Sequence, residues 1–186
     1  MAVCHSGGAP LTYLPYLRYL LRHKLYVLLE CIRAGIAWRG IVHDLSKFSP
    51  DEFIPYAKHF YGVKRGSIQT GRNETGYYKP TNTGDAAFDR AWFLHQKRNR
   101  HHWQWWTHPE DETGFIILPI EEPYLTEMIC DWVGAGKAQG RTSPKDDRYF
   151  AARMWYCQNG HKLQLQRDTR RAIERRLGIP KHWQAD

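Results

Sequence analysis

The chain of 186 residues has few cysteines and spaces them widely: Cys4, Cys31, Cys130 and Cys157 form no CxxC pair. That spacing excludes a thiolate zinc site and a compact disulfide framework, and makes the cysteines small buried hydrophobes of a reduced, cytoplasmic protein. No stretch approaches the roughly 18 uninterrupted apolar residues of a membrane span, and residues 1–10 lack the basic and apolar regions of a signal peptide. No membrane partner is expected. Low-complexity segments and internal repeats are also missing. Acidic residues are the scarcer charge, 19 against 27 basic, and the net charge of +8 favours anionic partners such as nucleotides, nucleic acid or phosphorylated metabolites.

What is present describes an all-α, single-domain bundle of about six to seven helices with one long loop. At 42% hydrophobic, the chain can bury one core. Residues 1–10 read as a flexible lead-in and 11–186 as the helical domain. Leu14, Leu17, Leu21, Leu25, Leu28 and Ile32 recur at helical spacing and predict a first helix with that stripe buried, Pro15 in its first turn and Gly35 after its end. Leu20, His23 and Val27 form a second stripe, which would place His23 in the interior, in need of a partner. A second helix is expected over 36–48. Ser49, Pro50 and Glu52 resemble a capping box opening a third helix to about Tyr61, so Glu52 reads as a cap at least as readily as a catalytic group.

Residues 62–84 are rich in Gly, Thr and Asn and poor in aliphatics, which predicts the long loop, with Lys64, Arg65 and Arg72 available to phosphate. Over 85–106, Phe88, Trp92, His95, Asn99, His102 and Trp106 fall on one helical stripe. His95 and His102 would lie about 10.5 Å apart along an unbroken helix, too far to share an ion. Either the helix breaks near Asn99, or the two serve different metals, or one binds substrate. A strand-like run is expected at 115–118 and a helix at 123–135, ended by the glycines 134 and 136. That helix sets Asp131 among Met128, Ile129, Cys130 and Trp132, where a carboxylate needs a partner or an ion. The C-terminal helices are expected over 144–178, the last from His161 to Leu177 with a basic face of Arg167, Arg170, Arg171, Arg175 and Arg176. That face reads as solvated surface before it reads as a nucleic-acid footprint.

The most informative stretch is Val42-His43-Asp44-Leu45-Ser46-Lys47. An imidazole and a carboxylate side by side suit a divalent transition ion such as Mn, Fe, Co, Ni or Zn better than Ca. His-Asp pairs arise often by chance, so the other ligands carry the case. In order they are His23, His43-Asp44, His95 with His101-His102, and Asp131. This order resembles the HD superfamily of metal-dependent phosphohydrolases over roughly residues 20–135, and His43 to Lys47 resembles its His-Asp-x-x-Lys form with Ser46 where Gly is common. Arg100-His101-His102-Trp103 is similar to the His-His-Glu element of its dinuclear members, with Trp103 in place of Glu. The chain is also similar to a family of small uncharacterised bacterial and phage proteins.

The resemblance implies a helical bundle in which His23, His43, Asp44 and Asp131 hold an ion, with His102 as a further ligand if there are one or two ions. It implies hydrolysis of a nucleotide or similar small phosphate ester by metal-activated water. In that reading Asp44, Lys47 and Glu52 are catalytic, Lys47 neutralising phosphate and Glu52 accepting a proton. His95, Asn99 and His101 contact substrate, unless the histidines hold a second ion. The rivals are a nucleic-acid-binding helical protein without catalysis and an inactive HD-fold ligand sensor.

Overall fold

The computed structural model describes residues 10–62, 83–141 and 147–180. The lead-in up to residue 9, nearly all of the expected loop at 62–84 and the expected start of the C-terminal helices at 144 lie outside the described residues. The architecture is all-α. Among the described residues seven α-helices follow one another: α1 (Pro10–Arg33), α2 (Ala37–Val42), α3 (Pro50–Tyr61), α4 (Ala86–Arg98), α5 (Glu122–Ala138), α6 (Phe150–Asn159) and α7 (Arg167–Leu177). Between α4 and α5 runs a small antiparallel hairpin, β1 (Thr107–Glu110) and β2 (Gly114–Ile117), close to the strand-like run expected there.

α1 and α5 form the spine. α2 and α3 pack on α1, α4 packs on α3, and α6 and α7 pack on α5. Gly134 and Gly136 lie inside α5 rather than ending it. A Cβ on Gly134 would stand 2.6 Å from Val27 Cγ2 and 2.9 Å from the Val27 backbone nitrogen. The helices therefore touch backbone to backbone, which offsets the roughly 1 kcal/mol that a glycine costs inside a helix. Glu30 of α1 is fully buried and takes Lys137 of α5 at 2.5 Å, Arg33 at 2.6 Å and Arg148 ahead of α6, so three cations neutralise one carboxylate across the spine.

The first helix is present and Gly35 follows it at φ 75° as expected, but its faces are exchanged. Tyr16, Leu20, His23, Val27, Glu30 and Cys31 are buried, whereas Leu14, Leu21, Leu25 and Ile32 are exposed and Leu17 and Leu28 half-buried. α3 and α5 take the stripe that carries His23. α1 starts at Pro10, so Pro15 lies beyond its first turn. The expected 36–48 helix breaks at His43, and the 85–106 helix breaks at Asn99. In the C-terminal part α6 begins at Phe150, and His161 sits in a 3₁₀ turn ahead of α7, whose cap is Gln166 accepting from the amides of Asp168 and Thr169.

Two arginines of the basic α7 face are engaged by the protein itself, whereas Arg167, Arg171 and Arg175 are exposed. Arg170 donates to the carbonyls of Gly160 and Leu163, and Arg176 pairs with Glu122 at 2.6 Å. No helix of the described residues is long and apolar enough to cross a membrane. Cys31 and Cys130 are buried and unbridged. Replacing Gly134 by Ala should cost about 1–3 kcal/mol in urea unfolding, because overpacking outweighs the gain in helix propensity; an unchanged midpoint would show that the α1–α5 contact yields freely.

Candidate metal centre

α2 ends at Val42 because the chain turns out of helical geometry at His43 (φ −50°, ψ 129°) and enters the left-handed region at Asp44 (φ 53°). Asp44 is the only non-glycine at positive φ among the described residues. Aspartate tolerates this conformation better than most, but it still costs of order 1 kcal/mol and persists only where the surroundings fix it. Lys24 of α1 does part of that fixing, donating to the carbonyls of Ile41 (2.7 Å) and His43 (2.8 Å). The break turns both His43 and Asp44 inward, each 1% exposed. A continuous helix would have pointed neighbours 100° apart.

Two groups of donors meet at Asp44, one on each carboxylate oxygen. Toward Oδ2 lie His43 Nε2 at 3.3 Å and His23 Nε2 at 3.6 Å, and Asp131 Oδ1 stands 3.2 Å from His23 Nε2 and 3.5 Å from His43 Nε2. Toward Oδ1 lie His95 Nε2 at 3.3 Å and His101 Nε2 at 3.4 Å, with His102 Nε2 2.8 Å from His95 Nε2. These buried groups of His and Asp can hold a metal ion. Most of these separations, 3.2–3.6 Å, are long for hydrogen bonds. They are what donors about 2.1 Å from a shared ion would show. His23 Nε2, His43 Nε2, Asp44 Oδ1 and His101 Nε2 are buried without a hydrogen bond, a cost that coordination removes.

The outer ring nitrogens are held by carboxylates. Glu127 Oε1 lies 3.0 Å from His43 Nδ1 and 3.2 Å from His101 Nδ1, and Arg39 secures its other oxygen at 2.7 Å. Burial opposes the charge on Glu127, but its bonds to His101 and His43 outweigh it and bring the pKa to about 2. An ionised carboxylate only accepts, so both Nδ1 atoms carry hydrogen and both Nε2 lone pairs face inward. Glu52 does the same for His95, with Oε2 2.9 Å from Nδ1 and Arg98 on Oε1 at 2.8 Å. Ser46, where the resembled motif has Gly, donates to Glu52 at 3.0 Å.

The chain belongs to a family of unknown function (DUF5662). The family's model matches residues 12–179. No curated protein and no solved structure matches the chain.

The expected metal residues His23, His43, Asp44, His102 and Asp131 all converge. Others lie elsewhere than expected. His95 and His101, expected at the substrate or as ligands of a second ion, join the ligand groups; His101, which a solvent-facing reading also suited, is 2% exposed. The break at Asn99 is what allows this, since α4 ends at Arg98 and the turn folds His101 and His102 back toward His95. Asn99, expected at the substrate, donates to the His95 carbonyl and to Ser46 Oγ, both at 2.8 Å. Glu52 is neither a capping-box partner nor beside the donors' open side. Ser49 makes no side-chain cap bond, and the Glu52 carboxylate is buried behind His95. Lys47 lies at the centre, Nζ 2.5 Å from Asp44 Oδ2. Burial opposes its charge, but Asp44 outweighs this and lifts its pKa above the usual lysine range. Sequence reasoning missed Glu127 and Arg39. The available signal was position: Glu127 stands one helical turn before Asp131, so the two share a face.

Protons and metal compete for the same Nε2 atoms. Burial lowers the His43 pKa, but Asp44 and Asp131 outweigh it and raise it well above the usual value, so a proton competes with an ion for this ring. Metal affinity should therefore fall as pH drops from 8 to 6, with proton release on binding measured by calorimetry in buffers of different ionisation enthalpy. Glu127→Gln should weaken the affinity about 10–100-fold with helical circular dichroism retained; undiminished affinity would detach Glu127 from the site.

Proposed function

We propose that the protein is an HD-type metal-dependent phosphohydrolase acting on a nucleotide or similar small phosphate ester. The observation that carries this reading is the two-sided Asp44, with a histidine group on each oxygen and Lys47 beside it, buried behind the lining of a cavity of about 330 Å³ that its partners His23, Lys47 and His102 reach. His23, Lys47, His102 and Asp131 reach the cavity, and its walls are Tyr16, Tyr19, Tyr56, Phe60, Tyr61 and Trp92. A charged, donor-rich floor under aromatic walls suits a ligand with a phosphate at one end and a flat ring at the other.

The donor set suits one or two ions of Mn, Fe, Co, Ni or Zn: His23, His43, Asp44 and Asp131 for one, and Asp44, His95, His101 and His102 for the other. When bound, such an ion supplies Lewis acidity toward a phosphoryl oxygen and lowers the pKa of water. Lys47 offers a fixed positive charge to the phosphate oxygens. Asp131, with 16% of its side chain exposed, borders both the donors and the cavity and is placed to accept a proton from water. Glu52 acts only through His95, holding its ring. Tyr56, whose ring lies 5.9 Å from Lys47 Nζ, restrains that side chain.

The test is phosphate release from nucleoside monophosphates, cyclic and linear diesters and sugar phosphates, with the protein loaded in turn with each of the five metals. Turnover should require metal, and Lys47→Ala should lower kcat/KM about 100-fold, or roughly 2.7 kcal/mol, with metal content kept. Asp44→Asn should lose metal from both groups together, read by elemental analysis. A fully loaded protein with no turnover on any ester would overturn the hydrolase reading and leave a metal-bearing binding protein.

A further inference from the structure

The two donor groups at Asp44 are not equivalent. On the Oδ1 side stand three imidazoles, with His95 Nε2 at 3.3 Å, His101 Nε2 at 3.4 Å and His102 Nε2 2.8 Å from that of His95. On the Oδ2 side stand two imidazoles, His23 and His43, and a second carboxylate, Asp131. The first set is richer in nitrogen, which suits Co, Ni or Zn, and the second is richer in oxygen. Their supports differ as well. The outer nitrogens of His95 and His101 meet the buried carboxylates of Glu52 and Glu127, so two of the three rings are fixed from behind. On the other side only His43 is held in this way, by Glu127, whereas His23 Nδ1 is buried without a hydrogen-bond partner. The largest difference is Lys47. Its ammonium lies 2.5 Å from Oδ2, whereas Oδ1 is buried without a hydrogen bond. An ion on Oδ2 therefore stands against a fixed positive charge, and that repulsion weakens with distance toward the Oδ1 side. Asp131 offsets part of it, but its carboxylate borders the cavity, where solvent weakens the attraction.

We propose that the two groups load in order. The Oδ1 group takes its ion first and more tightly, and the Oδ2 group takes a second, exchangeable ion against Lys47. The supply of that second ion then sets how much of the protein carries the pair. Two ligands of the Oδ2 group, His23 and Asp131, line the cavity, against His102 alone in the other group, so the weaker ion has the wider path for exchange. This inference rests on the metal centre of the function proposed above and adds to it an order and a point of control.

The test is titration of the metal-stripped full chain with Co(II), followed by calorimetry and visible absorption. It is run on the unaltered protein and on His102→Ala, His23→Ala and Lys47→Met, with helical circular dichroism as the check on folding. Two affinity classes about 10-fold or more apart are expected. Because two ions sharing Asp44 repel each other, the identity of the first site decides, not the split itself. His102→Ala should remove the tight class, and His23→Ala only the weak one. Lys47→Met should tighten the weak class about 10-fold and leave the tight class little changed. At one equivalent of Co(II), the proton NMR spectrum should show hyperfine-shifted N–H signals from three imidazoles rather than two. This count uses the unaltered chain, so it decides the order even if a variant misfolds. The proposal is overturned by a tight class that survives His102→Ala or is lost in His23→Ala, by two N–H signals at one equivalent, or by a weak class that Lys47→Met leaves unchanged. Protein that binds no Co(II) overturns it together with the metal centre, whereas an ordered pair that hydrolyses no ester upholds it and overturns the hydrolase reading alone.

Discussion

The structure depends on one buried carboxylate whose two oxygens face different neighbours. Asp44 is almost without solvent, and desolvation alone would drive it toward the neutral form. His43, Lys47 and His95 reverse this and hold it ionised, well below the usual carboxylate range. Each of those groups is itself buried and must be justified in turn. Arg39 and Glu127 stand behind His43, and Arg98, Ser46 and Glu52 stand behind His95. The polar network is thus ordered outward in layers: donors that point inward, carboxylates that fix their tautomers, and arginines at the rim that meet water. A network of this kind is stabilising only when complete, so loss of an outer arginine is felt at the centre.

This layering explains why α2 and α4 are short. A helix delivers residues to one face at intervals of three or four, and the site needs adjacent residues, His43 with Asp44 and His101 with His102, on the same side. The chain meets that demand by breaking helical geometry at both places, with a left-handed Asp44 in one and an extended Asn99 in the other. Neither break has a glycine or proline to announce it. The expected helices over 36–48 and 85–106 therefore ran through them, although the incompatibility of His95 and His102 on one unbroken helix already pointed to a break near Asn99.

Much of the rest was legible because it rests on local pattern. The α1 limits at Gly35, the start of α3 at Pro50 and the start of α5 near Pro123 follow from capping and periodicity, and the His-Asp pair led to its partners because ligand chemistry restricts the residue types. What periodicity does not supply is the identity of the covering surface. α1 carries two apolar stripes, and the leucine-rich one reads as the more hydrophobic. The stripe with Tyr16, Leu20, His23 and Val27 is the buried one because Gly134 lets α5 reach it, a contact more than a hundred residues away in sequence. The place of Glu52 behind His95, and Glu127 altogether, were illegible for a related reason. A carboxylate near a helix start or along a mixed face has ordinary explanations, and only the tertiary placement of His95, His43 and His101 gives these two their partners.

The two faces of α1 are mechanically joined. His23 points from one face into the donor set, and Leu21 and Leu25 point from the other within a single turn on either side of it. Lys24, between them, grips the carbonyls of Ile41 and His43 and so fixes the turn that presents Asp44. Fraying of α1 or α2 would therefore be felt at the site, because these elements carry His23 and the approach to His43 and Asp44. A left-handed aspartate and several buried imidazoles need rigid surroundings to stay in register for an ion. A short α2 of six residues has little stability of its own. The bonds from Lys24 supply order to this segment, which leads directly to the Asp44 on which both donor groups converge.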